Sequence, residues 1–96
     1  MRTMLKCSLD VTASSLAIKN GTIPGILEKL MGLTKPEAAY FTADGGTRTI
    51  YIFFDLKDPS DIPPIGELIW GNLGGSVSLQ PVMNAEELQK GLSKLV

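Results

Sequence analysis

The stretch Arg48 to Leu56 constrains the fold more than any other part of the chain. Ile50, Ile52, Phe54 and Leu56 fall on one side of a period-two pattern, and Thr49, Tyr51, Phe53 and Asp55 on the other. β-branched and aromatic residues at that period specify a strand. Large side chains on both faces mean that neither face is simply solvated. Such a strand belongs inside a sheet, with helices over one side and a second cover over the other. At 96 residues the chain has room for one domain, residues 1–96, with a modest core.

The remaining elements arrange themselves around that strand. Residues 3–9 alternate, with Leu5, Cys7 and Leu9 opposed to Met4, Lys6 and Ser8. Asp10 and Thr12 offer capping oxygens, and one helix broken at Gly21 is expected over roughly residues 12–33. Thr22 re-caps it, and Ile23, Ile26, Leu27, Leu30 and Met31 give it one apolar side. Residues 38–43 form a second strand, joined to the third by Asp44-Gly45-Gly46, whose glycines permit the positive φ of a tight hairpin. Asp58 to Asp61 start another helix, in which Pro63 and Pro64 fit only the first turn. Gly74-Gly75 ends that helix. Residues 76–83 form a fourth strand, placed at an edge by Pro81. Asn84 and Glu87 have capping-box spacing ahead of a last helix striped by Leu88, Leu92 and Leu95, whose only evident role is docking. The order β-α-β-β-α-β plus a terminal helix is the α+β, ferredoxin-like arrangement with an antiparallel sheet. Its uncovered face would carry Met4, Lys6, Ala38, Tyr40, Tyr51, Phe53 and Val82, a candidate partner surface.

Composition narrows the chemistry. Nine basic and ten acidic residues leave a net charge of −1, with no footprint for nucleic acid or an anionic membrane. No apolar run approaches the ~20 residues of a membrane helix, and Arg2 and Lys6 interrupt any signal-peptide core. A single cysteine fits a reducing cytoplasm. The absence of histidine removes histidine-based acid–base catalysis and most zinc or iron sites, so neither metal nor cofactor is expected.

Three stretches carry a likeness: Lys35 to Thr42, Arg48 to Asp55, and Pro81 to Leu88. In these the chain resembles a group of small uncharacterised bacterial proteins of the dimeric α/β-barrel superfamily, in which two ferredoxin-like sheets meet face to face. The resemblance implies a homodimer. The superfamily includes isomerases, cofactor-free monooxygenases and haem-binding members, and no catalytic residue carries over because this chain has no histidine to match. RNA-recognition domains share the topology, and Tyr51 and Phe53 occupy the places of their stacking aromatics. The basic, glycine-bearing signature of that strand is missing.

The expected function is binding of a small apolar or aromatic molecule or of a protein partner, with a cofactor-free isomerase or monooxygenase as the alternative. Candidate ligand-binding residues are Cys7, Ile52, Phe54 and Trp70, around a space between the second helix and the sheet. Lys6, Tyr40, Tyr51, Phe53 and Asp55 are the candidate dimer interface, with Lys6 paired to Asp55.

Overall fold

Alternation along the strands becomes a four-stranded antiparallel sheet in the computed structural model, which describes residues 1–96. Strand β1 (Arg2–Ser8) is followed by helices α1 (Val11–Lys19) and α2 (Ile23–Thr34), then by β2 (Ala38–Asp44) and β3 (Thr47–Asp55). A 3₁₀ turn at Pro59–Asp61 leads into α3 (Ile62–Leu73), β4 (Ser76–Pro81) and α4 (Ala85–Leu92). The sheet order is β2-β3-β1-β4, the ferredoxin-like order.

Local chemistry sets the element ends. The Asp10 carboxylate accepts from the Ala13 amide and caps α1. Gly21, at φ +70°, separates α1 from α2, so the expected single broken helix is two helices. Thr22 does not cap with its side chain; its hydroxyl donates to the Ala17 carbonyl and ties the break to α1. The hairpin turns at Gly45 and Gly46, with φ of +61° and +81°. Pro81 stands on the edge strand β4, which pairs only with β1.

Register places Leu5 beside Ile52 and Leu79, and Cys7 beside Ile50 and Val77, on the face that α1, α2 and α3 cover. Leu30, Ile65, Ile69 and Leu73 close over those residues without measurable exposure or nearly so. Each such side chain contributes about 1.5–3 kcal/mol by leaving water. The other face of the sheet has no cover. Its central rows run Tyr40, Tyr51, Lys6, Ser78 and Ala38, Phe53, Met4, Gln80.

Helix α4 departs from the sequence-based expectation. Its capping box forms, with Asn84 accepting from the Glu87 amide and Glu87 accepting from the Asn84 amide. Yet none of its residues is buried, and Leu88, Leu92 and Leu95 are exposed rather than docked on their own fold. The chain is correspondingly long, 55 × 28 × 18 Å, with a radius of gyration of 15.2 Å. A compact chain of this length has about 12.5 Å.

Gly75 is the least replaceable turn residue. It sits at φ +88°, and a Cβ there would overlap the Ser8 carbonyl where β4 enters beside β1. Gly75→Ala is expected to destabilise the fold by about 3 kcal/mol or more, from strain plus overlap. Gly91→Ala meets open space in α4 and is expected to leave the urea midpoint unchanged or raised. Equal midpoints for the two variants would contradict this account.

Candidate functional site

Two places on the molecule gather chemistry. The first is polar and lies on the uncovered sheet face. Asp44, at the end of β2, accepts from the Tyr51 hydroxyl at 2.8 Å and pairs with the Lys6 ammonium at 3.3 Å. The Lys6 ammonium also stands 5.7 Å from the centre of the Tyr51 ring. The Tyr51 hydroxyl and then Lys6 hold the Asp44 carboxyl below the ordinary carboxylate range. Asp44 in turn, with Tyr51, raises the Lys6 ammonium. All three side chains are accessible to water, so screening keeps the cluster's contribution to stability small.

The expected pairing of Lys6 with Asp55 does not form. Arg2, not Lys6, stands opposite Asp55 in the register, and Asp55 pairs with the Met1 amino group. Arg2 reaches outward to Glu37 and Glu87. A cleft of about 350 Å³ at that end is walled by Arg2, Lys35, Glu37, Phe54 and Asp55. Within it Arg2 pairs with Glu37, and Asp55 is taken by the Met1 amino group.

The second place is apolar. A cavity of about 210 Å³ lies between the α1–α2 pair and the β2–β3 hairpin. Leu9, Ile18, Ile23, Leu27, Phe41 and Ile50 form its walls, and no polar atom faces the space. Ile18 and Phe41 stand about half-exposed at its rim. The space lies at the junction of the two helices, with Ile18 from the end of α1, Ile23 and Leu27 from the start of α2, and Phe41 from the edge strand β2. Arg48 holds this end together. Its stem lines the cavity, and its guanidinium donates to the Ser14 and Ser15 hydroxyls at 2.9 and 3.0 Å and to the Val11 carbonyl at 3.4 Å.

The residues singled out from sequence as ligand-binding sit elsewhere. Cys7 and Ile52 are wholly buried in the core, and Phe54 is nearly so, its ring reaching the polar clefts. Trp70 is 45% exposed and lies across Gly66 on its own helix. These four do not surround a common space. Ile18, Ile23, Leu27 and Phe41 line the apolar cavity instead. Sequence periodicity marks them only as helix-stripe and strand residues, with nothing to separate a wall from a packed core.

No protein-family model matches the chain, and no curated protein matches it. Among solved structures it is similar to 5-chloro-2-hydroxyhydroquinone dehydrochlorinase from Burkholderia phenoliruptrix AC1100, in complex with 2,5-dihydroxybenzoquinone. The TM-score is 0.64 over 91% of this chain and 98% of that one, at 10% sequence identity. The likeness is one of fold, and it agrees with the ferredoxin-like topology. No helix of the structure is long and apolar enough to cross a membrane.

Burial sets the behaviour of Cys7. Its thiol is pushed from the usual 9.0 up to about 12 by desolvation. The folded chain therefore keeps its thiol proton at a pH where the unfolded chain loses it. The contribution of this group to stability is present below about 9 and is lost as pH rises towards about 12. Urea melts between pH 8 and 11 should show stability falling more steeply for wild type than for Cys7→Ala. Ellman's reagent at pH 8 should leave the folded thiol unmodified and titrate it fully once guanidinium unfolds the chain.

Proposed function

We propose that the protein is a homodimer, joined through its uncovered sheet faces, in which each protomer binds one small, uncharged apolar or aromatic molecule. The observation that carries the ligand is the 210 Å³ cavity, six of whose nine lining residues are apolar, with Thr42, Thr49 and Arg48 completing the walls. A closed apolar space of about 150 Å³ takes up benzene; the space here is of similar size and opens to solvent at Ile18 and Phe41. The cavity here accommodates a single ring with one or two small substituents. A charged group seated against these walls would give up part of its hydration with no polar atom facing it in return. The dehydrochlorinase of similar fold was solved with a single-ring benzoquinone, which supports a ligand of that size.

Binding without turnover is the reading the cavity favours over a cofactor-free isomerase or monooxygenase. No acid or base faces the space, and the cluster of Lys6, Asp44 and Tyr51 lies on the opposite side of the sheet.

The dimer is supported by the uncovered face. Tyr51 and Phe53 are half-buried there beside Met4, with Tyr40 further out, and the chain's own helices cover only the reverse side. Packing this face against a second copy leaves Lys6 and Asp44 paired within one protomer, which limits the desolvation cost of covering them.

Two measurements test the proposal. Titrating toluene, p-cresol and indole into ¹⁵N-labelled protein should give saturating amide shifts at Ile18, Phe41 and Ile50, lost when Leu27→Trp fills the cavity. No shifts across the series, or shifts that persist in Leu27→Trp, would overturn the ligand site. Light scattering at micromolar protein should report a dimer for wild type and a monomer for Phe53→Asp, because the introduced carboxylate would have to be desolvated. A monomeric wild type would overturn the dimer.

A further inference from the structure

Helix α4 and the turn that follows it form an amphipathic arm that covers nothing on its own chain. Leu88, Leu92 and Leu95 are 45%, 47% and 78% exposed. The opposite side of the arm carries Glu86, Gln89, Lys90 and Lys94. An isolated helix of this length is marginal in water, so its apolar stripe calls for a surface to bury it.

The side of the sheet from which the arm rises says which surface. Arg2 belongs with Met4 and Lys6 on the uncovered face of β1, and its guanidinium pairs with Glu87 in the first turn of α4. The backbone amide of Val82 donates to the Arg2 carbonyl and fixes the chain's exit from the sheet at the same point. The arm is thus anchored at the rim of the uncovered face, not on the helical side.

Area supports the same occupant. The chain exposes 6226 Å² at a mass of 10.3 kDa, where a compact monomer of that mass exposes about 5,400 Å². The excess of roughly 800 Å² is close to what one partner buries in a standard interface. Four strands at ordinary spacings project roughly 450 Å², so the sheet face alone is small for a stable dimer.

We propose that the α4 arm docks on a second copy of this chain, its stripe of Leu88, Leu92 and Leu95 continuing the sheet-to-sheet contact past the edge of the partner. This inference rests on the open-face dimer proposed above, and its test is built to fail separately. Sedimentation equilibrium should show the double variant Leu88→Glu, Leu92→Glu dissociating at least tenfold more readily than wild type, with unchanged far-ultraviolet circular dichroism. In a second measurement, a spin label on Lys94→Cys in unlabelled protomers is mixed with ¹⁵N-labelled protomers that carry no label. Amide signals of the ¹⁵N protomer should broaden. A monomeric wild type removes the dimer reading and the arm with it. A dimer that Phe53→Asp separates, but that the double variant leaves equally tight or in which no broadening crosses between protomers, overturns the arm alone.

Discussion

The pairing of β1 with β3 is the contact on which both sides of the sheet depend. Seven residues of β1, Arg2 to Ser8, stand opposite Asp55 to Thr49 in an unbroken antiparallel register. A slip of β1 by one residue would turn Leu5 and Cys7 away from the helices and bring Lys6 under them. The cost of burying an ammonium among Leu30, Ile65 and Ile69 forbids that alternative. β2 and β4 then add at the edges, each fixed by one neighbour. The helices meet an inner surface whose composition has already been decided by that central pair.

The same register gives the sheet two unlike surfaces. Under the helices the rows are aliphatic and dry. On the uncovered side, apolar and charged residues alternate along β1, and the charges find partners across β3 or at the rim: Lys6 with Asp44, Arg2 with Glu37 and Glu87. Pairing charges within one protomer while leaving Tyr40, Tyr51 and Phe53 accessible is an arrangement suited to being covered by another protein surface. The apolar cavity belongs to the helical side and is structurally independent of that surface. Its walls come from the end of the fold where α1 gives way to α2, and Arg48 ties β3 there to the first turns of α1.

Local signals in the chain fix several element ends. The Asp10 cap, the Asn84–Glu87 capping box, the Gly45-Gly46 hairpin and the edge position of Pro81 each depend on a few adjacent residues, and each stands where the sequence places it. What sequence could not resolve involves partners distant along the chain. Period two puts Lys6, Asp44 and Asp55 on one face, with Asp44 and Asp55 each two rows from Lys6; the Met1 amino group takes Asp55, and the Lys6 side chain reaches diagonally to Asp44. Trp70 shares a helix with core residues, yet its ring turns outward over Gly66.

The chain's own residue order therefore determined the strands with their two faces, the capped helix starts at Asp10 and Asn84, and the split-βαβ order, because these follow from φ preferences, capping and burial of alternate side chains. Tertiary structure alone decided where empty space remains and which apolar surfaces stay bare. A cavity is the difference between the volume enclosed by packed elements and the volume of the side chains that fill it, and periodicity records neither. The stripe on α4 reads in sequence like the stripe on α2. Only the direction in which α4 leaves the sheet shows that one is spent on the chain's own core and the other is not.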